Sequence, residues 1–165
     1  MRVHSRYSIK TMVLIVTTLF LTACSDHDAA PCPYQNDNIQ PGNAGCLIFN
    51  GNQLLTVTHR FTGTIGIPGG TGSGNEPASC TAWRESREEL GGEVVVGNKL
   101  TTLENGFVLF HCQQQSAFLA DGGDWLEIAA VNWTPLADIN AETWRYPAQW
   151  AKVKKLVLEQ MALER

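Results

Sequence analysis

Between Gly69 and Gly92 the chain runs GGTGSGNEPASCTAWRESREELGG, a glycine-rich loop followed by a helix-forming run. Ile67-Pro68-Gly69-Gly70 turns the chain sharply after a short apolar run, because proline and paired glycines do not sit inside regular elements. Asn75 or Glu76 is placed to cap a helix with Pro77 at its first position, and Gly91-Gly92 stops that helix about four turns later. On the helix Glu85, Glu88 and Glu89 fall at i, i+3 and i+4, so three carboxylates share one face. They lie in the last turns, where the helix dipole disfavours anions by roughly 0.3–1 kcal/mol each. Ala78, Thr81 and Ala82, small residues ahead of them on the same face, let the helix lie close to a sheet. A hard divalent cation with oxygen ligands would turn the mutual repulsion into binding. A solvated acidic face neutralised by Arg84 and Arg87 is the ordinary alternative.

A wider pattern decides between the two. From Gly70, five residues lead to Glu76 and seven more to Arg84-Glu85-Ser86-Arg87-Glu88-Glu89-Leu90-Gly91. This spacing resembles the Nudix box, Gx5Ex7REUxEExGU with U an apolar residue, at all seven fixed positions. At roughly 7% usage per residue type, seven matches at one start arise by chance with a probability on the order of 10⁻⁸. The departures are confined to uncharged positions. Ser86 and Gly92 fill the two U positions, Asn75 stands where many members have glycine, and Ile65 sits where a tryptophan is common before the Pro-Gly-Gly turn.

The resemblance implies an α/β fold, the Nudix fold, in which a mixed β-sheet is sandwiched between helices (α/β/α). It implies Mg²⁺-dependent hydrolysis, with Mn²⁺ as a substitute, of a diphosphate bond in a nucleoside diphosphate linked to another group. Glu85, Glu88 and Glu89, with the Gly69 carbonyl, would hold the metal. Arg84 would orient Glu85 through a charge-assisted pair, and Glu76 would support the loop or a second metal. Glu85 is the first choice of general base, with Glu104 and Glu127 outside the box as the other candidates. Arg60, placed where a basic residue often follows the family's second strand, is expected to face substrate together with Glu76 and Glu127. The partner is a small-molecule diphosphate, open among nucleotide sugars, dinucleoside polyphosphates, ADP-ribose-like compounds and lipid-linked diphosphates; family members are often dimeric. The alternative is a catalytically silent Nudix-fold module that binds a nucleotide or other ligand, and a third reading is an envelope lipoprotein in which the domain is scaffold.

Outward from the box, Cys46–Phe49 and Gln53–Val57, joined by Asn50-Gly51-Asn52, read as a hairpin. Glu93–Val96, Phe107–Phe110 and Ser116–Leu119 are apolar runs suited to strands, and Asp121-Gly122-Gly123-Asp124 is a turn. Trp133-Thr134-Pro135-Leu136 resembles a segment common near the end of Nudix domains. From Pro147 to Leu163 the apolar residues Trp150, Val153, Leu156, Val157 and Met161 form a helical stripe that packs on the sheet. Alternating strands and helices support the α/β class independently of the box. His59 and His111 are isolated and read as structural; Trp125, beside a glycine turn, is a candidate pocket residue.

Residues 1–23 combine a basic start with the apolar run Met12–Leu21, too short and wrongly flanked for a spanning helix, and read as a secretory signal. Leu21-Thr22-Ala23-Cys24 resembles a bacterial lipobox, which implies lipidation of Cys24, and Ser25 resembles the sorting residue of outer-membrane lipoproteins. The expected location is the periplasmic face of the outer membrane, tethered through the lipid anchor. Residues 24–44, polar and rich in Pro, Asn and Asp, read as the tether, with the Nudix domain over 45–165. Three of the 12 Lys and Arg residues, Arg2, Arg6 and Lys10, lie in the leader. The nine that remain against 16 Asp and Glu argue against binding a nucleic-acid polymer. Apart from Cys24, the cysteines Cys32, Cys46, Cys80 and Cys112 form an even set in an oxidising compartment, consistent with two disulfides in any of three connectivities.

Overall fold

Residues buried on both faces need neighbours on both sides, and this requirement arranges the strands. The computed structural model describes residues 31–35 and 39–163; the leader, Cys24 and the first part of the tether lie outside them. One sheet holds β5 (Gly69–Gly70), β1 (Ala44–Leu47), β7 (Val108–Gln114) and β6 (Val94–Thr102) in that order. β1 and β7 are parallel and the other pairs antiparallel. The second sheet orders β2 (Phe49–Asn50), β3 (Gln53–His59) and β4 (Ile65–Gly66), with β8 (Ile128–Pro135) antiparallel to β3. Two helices complete the fold, α1 (Ala78–Leu90) and α2 (Trp150–Leu163), the latter entered through a 3₁₀ turn at Pro147–Gln149.

Period-two alternation sorts the core. On β7, Val108, Phe110 and Cys112 join Ala78, Ala82 and Trp83 of α1. Leu109 points the other way, to a cluster with Trp150, Val153 and Val157 of α2. β1 does the same, with Ala44 and Cys46 on the α1 side and Leu47 on the α2 side. The central strands are thus covered by a helix on each face, as the α/β/α reading expects. The stripe of the last helix is core as read: Trp150, Val153 and Val157 are buried, with Leu156 and Met161 packed against them.

Three local expectations change. The Asn-Gly hairpin is shorter than read: β2 pairs only Phe49 with Leu54 and Asn50 with Gln53, around Gly51 at φ 56°. Cys46 and Leu47, buried on opposite faces, leave it for a central place in the other sheet. Ser116–Leu119 forms no strand. It crosses the end of α1 instead, where the Leu119 and Gly123 N–H groups donate to the Leu90 and Glu89 carbonyls at 3.0 Å each, satisfying acceptors that a helix end leaves open. Gly91 is the left-handed C-cap at φ 63°. A Cβ on Gly92 would meet Phe118 Cδ1 at 2.6 Å, so the glycine at this apolar position of the box makes room for the crossing loop. At the other end, Pro77 is the N-cap rather than the first helical residue, with no side-chain cap; the Glu76 carboxylate is committed elsewhere.

Two disulfides form, Cys46–Cys112 between β1 and β7 and Cys32–Cys80 onto α1. Closing loops of 66 and 48 residues, each is of a kind that stabilises by about 2–4 kcal/mol. Part of the segment read as tether is built into the domain. The Tyr34 hydroxyl accepts from Val96 N–H at 2.8 Å, Pro41 bridges to Pro77, and the Asn43 carbonyl accepts from Val108 N–H at 2.8 Å. Among the described residues the buried hydroxyls of Ser79 and Ser86, both on α1, have no hydrogen-bond partner.

Candidate active site

A planar guanidinium with five N–H donors collects oxygens that would otherwise repel one another. Arg84 on α1 does this for the box. Its Nε and Nη2 reach the two Glu76 oxygens at 3.0 Å each, Nη1 reaches Glu85 Oε1 at 2.8 Å and Glu88 Oε2 at 3.2 Å, and Nη2 also donates to the Thr71 carbonyl at 3.0 Å. One side chain therefore ties the glycine-rich loop to two of the three box carboxylates of α1. Glu76 is fixed further by the Ser73 N–H and the Thr81 hydroxyl, both at 3.1 Å. Burial pushes the Glu76 carboxyl up, but the bonds from Arg84, Ser73 and Thr81 outweigh it and hold it below its ordinary value.

The next two carboxylates are placed against the turn before the helix. A Cβ on Gly70 would run into the Glu85 carboxylate, so the glycine is what lets Glu85 lie against β5. Burial raises the Glu85 carboxyl, the Arg84 charge and hydrogen bond oppose this, and the charges of Glu88 and Glu127 add to the rise. Glu89 is only 4% exposed. Its Oε2 accepts from Gly69 N–H at 2.7 Å, yet burial pushes the carboxyl up to about 8, assisted by the charges of Glu85 and Glu127 and opposed by Gly69 and Arg145. Glu88 is the exposed member of the set, with 54% of its side chain accessible.

Glu127 belongs to this electrostatic group, since both Glu85 and Glu89 feel its charge. Its position comes from Arg60, whose Nε and Nη2 donate to the Trp125 and Ile128 carbonyls at 2.7 and 2.6 Å, while Arg60 N–H donates to the Glu127 carbonyl at 2.8 Å. The Arg60 guanidinium, read from the sequence as facing substrate, thus binds the backbone of the loop that carries Glu127. Glu104 is exposed on the β6–β7 turn, between the cavity residues Leu103 and Asn105. Trp125 is 70% exposed and outside the cavity.

That cavity opens beside the box turn. Gly69, Gly70 and Thr71 form one part of its wall, and Asn43, Asn105, Phe107, Tyr146 and Gln149 supply amides and aromatic faces. His59 and Arg145 complete it. His59, 7% exposed, is lowered to about 4 by burial and by the Arg145 charge, so it stays neutral near pH 7. The sequence reading missed Arg145 because it stands alone in a loop, with no motif or periodicity around it.

The donor set suits a hard cation such as Mg²⁺: carboxylate oxygens on one helix, two of them raised above their ordinary values by burial and mutual repulsion, the condition that a bound cation relieves. Among the described residues no three His, Cys, Asp or Glu side chains form a ready metal cluster, since Glu85 and Glu88 are turned to Arg84.

Comparison with known proteins agrees with the geometry. The family model for the NUDIX domain matches residues 40–156. No curated protein sequence is a match. Among solved structures, an ADP-ribose pyrophosphatase from Streptococcus suis superposes with a TM-score of 0.62 at 20% identity, covering 73% of this chain and 91% of that one. A UDP-X diphosphatase gives 0.64 at 12% identity, covering 98% and 74%. A Caenorhabditis elegans Ap4A hydrolase gives 0.56 at 15% identity, covering 73% and 96%. At these identities the likeness is one of fold. The family match spans most of the chain and takes in the box, the crossing loop and the first turns of α2, and on that basis the chain belongs to the NUDIX family.

Proposed function

We propose that the domain is a Mg²⁺-dependent hydrolase of a diphosphate bond in a nucleoside diphosphate linked to another group, and that it works outside the cytoplasm from a lipid anchor. The observation that carries the catalytic part is the Arg84 hub. It holds Glu76, Glu85 and Glu88 beside a cavity lined by the box turn. A fold built only for stability has no use for three carboxylates at the negative end of a helix. The names of the structural neighbours, a pyrophosphatase, a diphosphatase and an Ap4A hydrolase, are in keeping with this class of substrate.

Glu85, Glu88 and Glu89, with the Gly69 carbonyl, would hold the ion, which when bound polarises phosphoryl oxygens and lowers the pKa of water. The chain's own residues do the rest. Arg84 holds Glu85 in place by its hydrogen bond, and Glu85 is the first choice to take the proton of the attacking water. Glu127 adds negative charge beside Glu85 and so strengthens it as a base. The cavity residues hold the rest of the substrate. The leader pattern supports the location: Cys24 acylated after signal cleavage, and the domain at the periplasmic face of the outer membrane.

Three outcomes follow. Assayed with Mg²⁺ on a panel of diphosphate compounds, residues 30–165 release phosphate or nucleotide, and Glu88→Gln loses at least about a hundredfold in turnover while keeping its circular dichroism; retained turnover in that variant removes the assigned metal roles. Cells expressing the full chain with labelled fatty acid incorporate label that Cys24→Ser abolishes, and label in the variant contradicts the anchor. The third outcome concerns stability without metal. Unfolded His59 binds a proton up to about its ordinary 6.5 and folded His59 only below about 4, so this group stabilises the fold as pH rises through that window. Glu89 has the opposite sign: its folded value near 8 lies above the ordinary 4.5, so its contribution is full below 4.5 and lost as pH rises to 8. The two offset each other up to about pH 6.5. Above it Glu89 acts alone, so the melting temperature of the metal-free domain falls between about pH 6.5 and 8, and Glu89→Gln flattens the decline; an unchanged slope in that variant refutes the assignment.

A further inference from the structure

We propose that Arg145, seated on His59 at the cavity, is the cation that grips a substrate phosphate, a role that builds on the diphosphate-hydrolase reading above. A cation facing the phosphates offsets the repulsion between an acidic chain and an anionic substrate, and three of the four arginines among the described residues are occupied. Arg84 is held by three carboxylates, Arg87 pairs with Glu93 at 2.8 Å, and Arg60 binds backbone carbonyls. Among the described residues Arg145 makes no ion pair with a carboxylate, and of the residues lining the cavity it alone carries a permanent charge.

Its placement is prepared from the backbone outward. Arg145 N–H donates to the Ile65 carbonyl at 2.8 Å and Ile65 N–H to the Thr143 carbonyl at 2.9 Å, a parallel bridge that fixes residues 143–145 against β4. The guanidinium then meets the His59 ring, with Nη1 at 3.3 Å from Nδ1 and 3.1 Å from Nε2. Gly66 allows this packing, since a Cβ there would come within 3.3 Å of His59 Nε2. A neutral imidazole orients a guanidinium without neutralising it. Nη1 donates to whichever ring nitrogen of His59 lacks the proton, which among the described residues leaves Nη2 and Nε, a fork matched to two phosphate oxygens. The group is close enough to the box for its charge to act on Glu89, and the Tyr146 ring lies 5.5 Å from its Cζ, so a phosphate held by Arg145 lies within the reach of both the box and an aromatic wall.

The test compares α,β-methylene-ADP, which cannot be cleaved at its diphosphate, with adenosine, by titration calorimetry with Mg²⁺ present. Wild type prefers the nucleotide. Arg145→Gln cuts that preference by about tenfold or more, Arg145→Lys restores part of it, and Lys155→Gln, an exposed cation on α2, leaves it unchanged. An unchanged preference in Arg145→Gln overturns the proposal, as does a wild type that binds both compounds alike. An equal loss for both compounds shows a structural role and overturns it as well. The readout is binding, so failure of hydrolysis in the diphosphate panel and failure of this assignment are separate results.

Discussion

The site depends on one guanidinium. Arg84 sits where two needs meet: the carboxylates of α1 must be kept together despite their repulsion, and the glycine-rich loop must be held to the helix that follows it. Its bonds to Glu76, Glu85, Glu88 and the Thr71 carbonyl meet both with one planar group. A lysine, with a single nitrogen, could not form the same fork. The electrostatic cost of the arrangement falls mainly on Glu89, which Arg84 does not reach. Buried and bonded only to the Gly69 N–H among described partners, it carries the most raised carboxyl of the set, and it is here that an added cation would relieve most.

The rest of the fold positions this cluster from three directions. Small residues of α1, Ala78 and Ala82, are fully buried, so the helix lies close on β1 and β5 and brings Glu85 against Gly70. The loop after β7 closes the C-terminal end of α1 by donating to the Leu90 and Glu89 carbonyls, then runs on to Glu127, which Arg60 secures. The strap from Thr143 to Tyr146, pinned to β4, brings Arg145 to the cavity. The two disulfides tie distant segments together: Cys46–Cys112 joins the central strands, and Cys32–Cys80 fastens the N-terminal segment to the box helix.

What was legible in the sequence was what depends on local spacing. The box helix, its acidic face and the last helix with its Trp150–Val153–Val157 stripe follow from residue types at fixed intervals, and the number of disulfides from an even count of cysteines, whose pairing the sequence leaves open. What escaped depends on contacts between distant segments. Ser116–Leu119 has the composition of a strand, but the open carbonyls at the end of α1 claim its backbone. Cys46–Phe49 looks like one arm of a hairpin, yet burial of Cys46 and Leu47 on opposite faces draws β1 into the other sheet. Arg60 and Arg145 carry the same charge in loops of similar character; only the fold shows that one is spent on carbonyls and the other faces a cavity. Gly92 departs from the box pattern for a reason that lies 26 residues further along, in the approach of Phe118.

On the proposed function, the box carboxylates form a cation site in which Arg84 bonds to two of them, Glu85 and Glu88. Titration of the metal-free domain with Mn²⁺, followed by the electron paramagnetic resonance of the free ion, measures this without requiring turnover or a known substrate. The wild-type domain is expected to bind the ion saturably, and a Glu85→Gln/Glu88→Gln double variant of unchanged circular dichroism to have lost that binding. Binding of equal strength and stoichiometry in the double variant, or no binding in the wild type, would contradict that reading.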